Sequence, residues 1–223
     1  MIQLAVFDMA GTTINDHGLV YRALREAVEQ AGATVAQTDL QRWMGTDKVS
    51  AIRALMPLGG VEATEQSVLA AFDRFRTLLA RFYREQPPVS LPGVEAALRT
   101  LRGRGVAIAL TTGFDQAVAW PLLASLGWKQ GEQFDAAVTS DEVSAGRPAP
   151  YLIHHAMEAT GVQDVKQVIS SGDTLVDVLS AQRAGVRSVG VLTGGLSAED
   201  FAGIGPDYVL ASAAELPGLP LFG

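Results

Sequence analysis

The sequence predicts an α/β protein: a Rossmann-like parallel-sheet core interrupted by an inserted helical cap domain. Three observations carry this. From residue 94 onward, short apolar and β-branched runs alternate with segments of helical period, as in a parallel sheet covered on both faces. Residues 17–86 break that rhythm, with apolar residues recurring only at steps of three and four. The run Ile-Gln-Leu-Ala-Val-Phe over residues 2–7 suits a buried central strand. The core is therefore expected at 1–16 and 88–223, and the cap at 17–87.

Each element has its own signal. The first strand closes on Asp8 and a Gly11-Thr12-Thr13 turn. Val20, Leu24 and Val28 form one helical stripe; Val68, Ala71, Phe72, Phe75, Leu78, Leu79 and Phe82 form a longer one. The aromatics of the second stripe read as cap core. Between the two, Thr46 is a natural N-cap for a helix running to Met56, which puts Lys48 in its first turn. Gln86-Pro87-Pro88 and Leu91-Pro92-Gly93 punctuate the return to the core, so hinges are expected near 15–18 and 87–92. A helix over 94–102, a strand over 106–111 and a helix over 114–126 follow, the last with a kink at Pro121. A strand over 136–139, a helix over 151–160, a strand over 167–171 and a helix over 174–184 come next. Gly185 is a suitable stop for that helix. Strands over 188–192 and 208–210 complete the pattern.

Composition narrows the function. The 223 residues are 48% hydrophobic and 18% charged, a globular profile. Lysine and arginine total 17 against 24 acids, a formal charge of −7, and no basic run exists. Nucleic acid and anionic membrane are therefore not expected as partners. The chain has no cysteine, which removes disulfides, thiol nucleophiles and cysteine-ligated zinc. It shows no apolar stretch of spanning length, and a cytoplasmic protein is expected.

Four groups of residues follow strands in order. Asp8 ends the first strand, where open α/β sheets build their sites, and is placed to be a nucleophile or metal ligand. Thr111, Thr112 and Gly113 offer a hydroxyl and backbone N–H groups at a helix start, a phosphate cradle. Arg147, in a Gly-Arg-Pro loop, can set a cation against a phosphate. Asp173 and Asp177, four apart near a helix start, join Asp8 in an oxygen-rich cluster suited to Mg²⁺.

The order Asp-x-x-Gly-Thr, apolar strand–Thr, Gly-Arg-Pro and Gly-Asp-Thr-x-x-x-Asp resembles the haloacid dehalogenase superfamily. The resemblance covers residues 8–177, with the helical insert at that superfamily's first cap position. It implies an aspartyl-phosphate at Asp8 and Mg²⁺ held by Asp8, the backbone carbonyl of Ala10, Asp173 and Asp177. It also implies phosphoryl contacts from Thr111 and Arg147, the arginine standing where a lysine is more usual.

Ala10 then decides the subclass. It occupies the place of the second aspartate of Asp-x-Asp, the acid and base of a phosphomonoesterase. A leaving group that needs no proton from that position fits better. An enamine carbon, its electrons stored in a lysine imine, is such a group. Lys48 is the lysine offered: a helix start lowers its pKa, whereas Asp47 beside it favours the charged form. Asp-x-Ala-Gly-Thr-Thr, Met-Gly-x-x-Lys, Thr-Thr-Gly-aromatic and Gly-Arg-Pro-x-Pro are similar to the phosphonoacetaldehyde hydrolases, or phosphonatases, whose matching lysine forms a Schiff base. Met9, Ala51 and Phe114 stand where that family has tryptophan, histidine and tyrosine. The expected substrate is a small phosphonate or phosphorylated metabolite, and a homodimer is the one protein partnership kept open. Two other readings are a phosphomonoesterase of the phosphoglycolate phosphatase type, using Asp47 or His17 as acid and base, and a catalytically weak ligand-binding relative. His154 and His155 are expected to pack or face solvent.

Overall fold

The computed structural model describes residues 1–222. The chain opens with β1 (Leu4–Asp8) and a two-residue β2 (Ile14–Asn15). It then enters four helices: α1 (Leu19–Glu29), α2 (Gln37–Arg42), α3 (Lys48–Leu58) and α4 (Glu65–Glu85). A short β3 (Val89–Ser90) leads back to α5 (Val94–Gly103), β4 (Ala107–Thr111), α6 (Gln116–Ser125) and β5 (Ala136–Val138). The remainder is α7 (Tyr151–Thr160), β6 (Val168–Gly172), α8 (Leu175–Ala184), β7 (Arg187–Val191), α9 (Ala198–Ala202) and β8 (Tyr208–Leu210).

Six strands form one parallel sheet in the order β5-β4-β1-β6-β7-β8. The architecture is the expected α/β Rossmann-like core. β1 is central, and the chain runs outward from it first to one side and then to the other. That reversal opens a crevice at the carboxyl ends of β4, β1 and β6. The alternating pleat of β1 serves two layers: Ala5 and Phe7 join one apolar cluster, and Leu4 and Val6 join the other, with residues of α7 and α8. Pro121 lies inside α6 without ending it.

The helices between β2 and β3 pack on one another. α1 buries Val20, Ala23, Leu24, Ala27 and Val28, and α4 buries Val68, Ala71, Phe75, Leu78, Leu79 and Phe82. Fully buried Phe75 and Phe82 are worth about 3–5 kcal/mol each against alanine. A capping box between Thr64 and Ser67 starts α4. Where the chain leaves and re-enters the core, β2 and β3 pair antiparallel, Ile14 with Ser90 and Asn15 with Val89. Two-residue strands carry no periodic signal, so this pair was not foreseeable from the sequence pattern.

Candidate active site

Strand register builds the site. Asp8 lies directly opposite Thr111 on β4, while Phe7 pairs with Ser171 on β6, two residues before Asp173. Three strand ends thus deliver Asp8, Thr111 and Asp173 to one crevice. Arg147 arrives from the loop between β5 and α7 and Asp177 from the first turn of α8. All five are buried.

Arg147 organises them. Its Nη1 donates to Asp8 Oδ1 at 2.6 Å and lies 2.9 Å from Asp177 Oδ1. Its Nη2 donates to Thr111 Oγ1 at 2.7 Å. A guanidinium and a hydroxyl are thereby held side by side over Asp8, an arrangement suited to phosphoryl oxygens. Thr112, also buried, accepts from the Phe114 N–H at 3.1 Å. Gly113 lets the loop approach the helical insert so closely that a Cβ there would collide with the Thr46 carbonyl.

Burial pushes the Asp8 carboxyl up to about 6, the Arg147 cation working against this and the Asp177 charge adding to it. Burial and the charges of Asp8 and Asp177 hold Asp173 well above the usual carboxylate range. Asp173 Oδ1 accepts from Thr12 Oγ1 at 3.0 Å. Two buried carboxyl groups whose charges would repel each other, with Ala10 on the wall of the same cavity, suit a small hard cation such as Mg²⁺. The expected third carboxylate, Asp177, lies at the same crevice and makes protein contacts of its own. Asp177 is committed to Arg147 and to the Thr174 hydroxyl and N–H, and forms a capping box at the start of α8. Among the described residues, no three histidine or acidic side chains gather into a metal cage. The Asp177 charge faces the Arg147 cation.

The insert supplies the opposite wall. Asp47, not Thr46, caps α3, accepting from Ser50 N at 2.8 Å, whereas the Thr46 hydroxyl donates to Trp43 O at 2.8 Å. Aspartate and threonine are both good caps, so propensity does not choose between them. Lys48 is therefore the first residue of α3 and points inward, only 5% exposed. Its Nζ donates to Thr46 O at 2.7 Å and lies 5.5 Å from the centre of the Phe114 ring and 6.0 Å from that of Tyr21. Burial pushes the lysine down to about 8, against Asp8 and Asp47, which favour the cation; the Arg147 charge adds to the lowering. The expected direction holds, but its main cause is burial rather than the helix terminus. Asp8, Lys48, Arg147 and Asp173 line one cavity of about 20 Å³.

Several residues went unremarked in the sequence. Thr12 holds Asp173, and Tyr21 lines the cavity, its phenol oxygen accepting from Gly45 N at 3.3 Å. Burial and the charges of Asp173 and Asp8 push that phenol well up. Tyr21 sits beside an apolar helical stripe, where an aromatic normally signals packing; no local pattern distinguishes it. His17 is exposed, with φ of 59°, and lies outside the cavity wall. His154 Nε2 lies 3.4 Å from Ala184 O, and His155 pairs with Glu158, both away from the site. No helix among the described residues is long and apolar enough to cross a membrane.

The chain is similar to known proteins in sequence and fold. The profile of the haloacid dehalogenase-like hydrolases matches residues 2–185. A phosphonoacetaldehyde hydrolase of Lactiplantibacillus plantarum is 29% identical, over 98% of this chain and 95% of its own. One from Bacillus cereus is 31% identical over 92% of this chain and 83% of its own. The crystal structure of a phosphonoacetaldehyde hydrolase-like protein from Oleispira antarctica superposes with a TM-score of 0.82 at 25% identity, covering 97% of this chain and 90% of that one.

Proposed function

The chain belongs to the haloacid dehalogenase-like hydrolases, and from that premise we propose that it is a Mg²⁺-dependent enzyme that cleaves the carbon–phosphorus bond of a small carbonyl-bearing phosphonate. The observation that carries this reading is Lys48: a buried amine, its pKa lowered to about 8, on the wall of the cavity that holds Asp8. Relatives about 30% identical are named for such a reaction.

Lys48 Nζ attacks the carbonyl carbon, and loss of water leaves an iminium. An Asp8 oxygen then attacks phosphorus. The C–P bond breaks, and its electrons pass into the iminium, giving an enamine and an aspartyl-phosphate. No acid is needed to receive this leaving group, which accounts for Ala10. Protonation of the enamine carbon and hydrolysis of the imine return Lys48, while water releases phosphate from Asp8. Arg147 and Thr111 hold the phosphoryl oxygens throughout. Asp8, Asp173 and the Ala10 carbonyl would hold Mg²⁺, which supplies positive charge against the phosphoryl oxygens and relieves the carboxylate repulsion. The insert over 17–87 serves as a lid, with β2 and β3 at its base as the hinge.

The test pairs phosphonoacetaldehyde and Mg²⁺ with borohydride. Phosphate and acetaldehyde should appear together, and borohydride should inactivate the enzyme and label Lys48. Lys48→Arg keeps the charge but forms no imine, and should be inactive. Full activity of Lys48→Arg would hand the site to the phosphomonoesterase reading. That reading lacks an acid here: the Asp47 carboxylate caps α3, and His17 lies outside the cavity.

A further inference from the structure

Amine attack on a carbonyl turns its oxygen into an oxyanion, which needs a hydrogen-bond donor close to the amine. The cavity offers few. Arg147 is engaged with Asp8, Asp177 and Thr111. The Thr174 hydroxyl donates to Asp177 and the Thr12 hydroxyl to Asp173. Thr112 follows Thr111 at the end of β4, on the core side of the cavity. Tyr21 alone reaches in from the insert beside Lys48, with its ring centre 6.0 Å from Nζ. Its oxygen accepts from the N–H of Gly45, in the loop that leads into α3, so the hydroxyl is tied to the segment that carries Lys48. Among the described residues the phenol has no acceptor for its own proton, which leaves that proton for a ligand.

We propose that Tyr21 is a specificity-determining residue, whose phenol donates a hydrogen bond to the substrate's carbonyl oxygen and holds it at Lys48. The proposal rests on the imine reading above and narrows the substrate. A phosphonate bearing an aldehyde or ketone satisfies the phenol. One without a carbonyl leaves it unpaired and is rejected, because an unmet buried donor costs more than a missing apolar contact. Tyr21 makes no covalent bond and keeps its proton. It orients the carbonyl for attack and stabilises charge on the oxygen as the N–C bond forms.

The experiment compares wild type and Tyr21→Phe with phosphonoacetaldehyde. Three readouts are needed: kcat/KM, the rate of borohydride labelling of Lys48, and inhibition by inorganic phosphate. Tyr21→Phe keeps the ring against Lys48 and should lose about a hundredfold in both labelling rate and kcat/KM, as for loss of an oxyanion donor. Its inhibition by phosphate, which reads the Arg147–Thr111 end of the site, should be unchanged. Equal labelling of Tyr21→Phe and wild type overturns the proposal while leaving the imine reading standing. Absence of labelling in wild type sinks the imine reading itself, and the Tyr21 proposal with it.

Discussion

Lys48 is held between burial, which favours the free amine, and the charges of Asp8 and Asp47, which favour the cation; burial wins. Only the free amine attacks a carbonyl, so the sign follows directly. Below the lysine's pKa, the reactive fraction grows about tenfold per pH unit. Borohydride capture at Lys48 should therefore climb with pH and level off near pH 8. A rate still climbing steeply at pH 10 would mark an ordinary solvated lysine. Asp8 answers to a different experiment. Asp8→Asn removes the nucleophile but also a repelling charge, so the fold should survive, while turnover falls by at least about a thousandfold. Near-normal turnover by a well-folded Asp8→Asn would end the covalent mechanism.

The elements matter through where they stop. β1, β4 and β6 end level with one another, so their last residues meet, whereas the insert reaches the site through the loop between α2 and α3. Gly113 is the contact point on the core. Its backbone needs no positive φ, so alanine there tests space alone. Gly113→Ala should push the Thr46 carbonyl, and with it Lys48, away from Asp8. The expected result is a fall in kcat/KM of at least about tenfold, as for a small misplacement of reacting groups, with little change in the unfolding temperature. Unchanged kcat/KM would show that this landing does not set the reactive geometry.

At the scale of the whole molecule, the cavity lined by Asp8 and Lys48 is about 20 Å³, room for about one water. On the lid proposal, the substrate enters when the insert opens. Arg76 on α4 reaches across to Asp115, the N-cap of α6, at 3.4 Å. The chain has no cysteine, so Arg76→Cys with Asp115→Cys gives a unique pair for a short reducible cross-linker. Cross-linking should abolish most turnover, and reduction should restore it; a locked enzyme at full rate would refute the lid. The ion pair itself is partly exposed, and its loss should cost less than about 1 kcal/mol. A ligand that binds only the folded state raises its stability. Mg²⁺ with inorganic phosphate should accordingly raise the unfolding temperature of wild type but not of Asp173→Asn. An equal rise in both would remove Asp173 from the metal site.

The sequence by itself determined the sheet and the order in which Asp8, Thr111, Arg147 and Asp173 follow their strands. These are local signals: a β-branched run, a turn, a polar residue where the run stops. Strand pairing then turns order into proximity, because parallel strands of similar length bring their carboxyl ends together. Three matters needed the tertiary structure. The partner of Asp177 is an arginine 30 positions earlier, and no spacing rule predicts that distance. The cap of α3 is Asp47 rather than Thr46: Asp47 accepts from Ser50 N, whereas the Thr46 hydroxyl donates to Trp43 O, and cap propensity does not choose between two suitable residues. Tyr21 reads as one more aromatic on an amphipathic helix until α1 and α3 are folded over the strand ends. Periodicity tells which face of an element is buried. Depth, neighbouring charge and hydrogen-bond partner are set by elements far away in the chain, and those choose which buried group is left with a proton to give or an amine to attack.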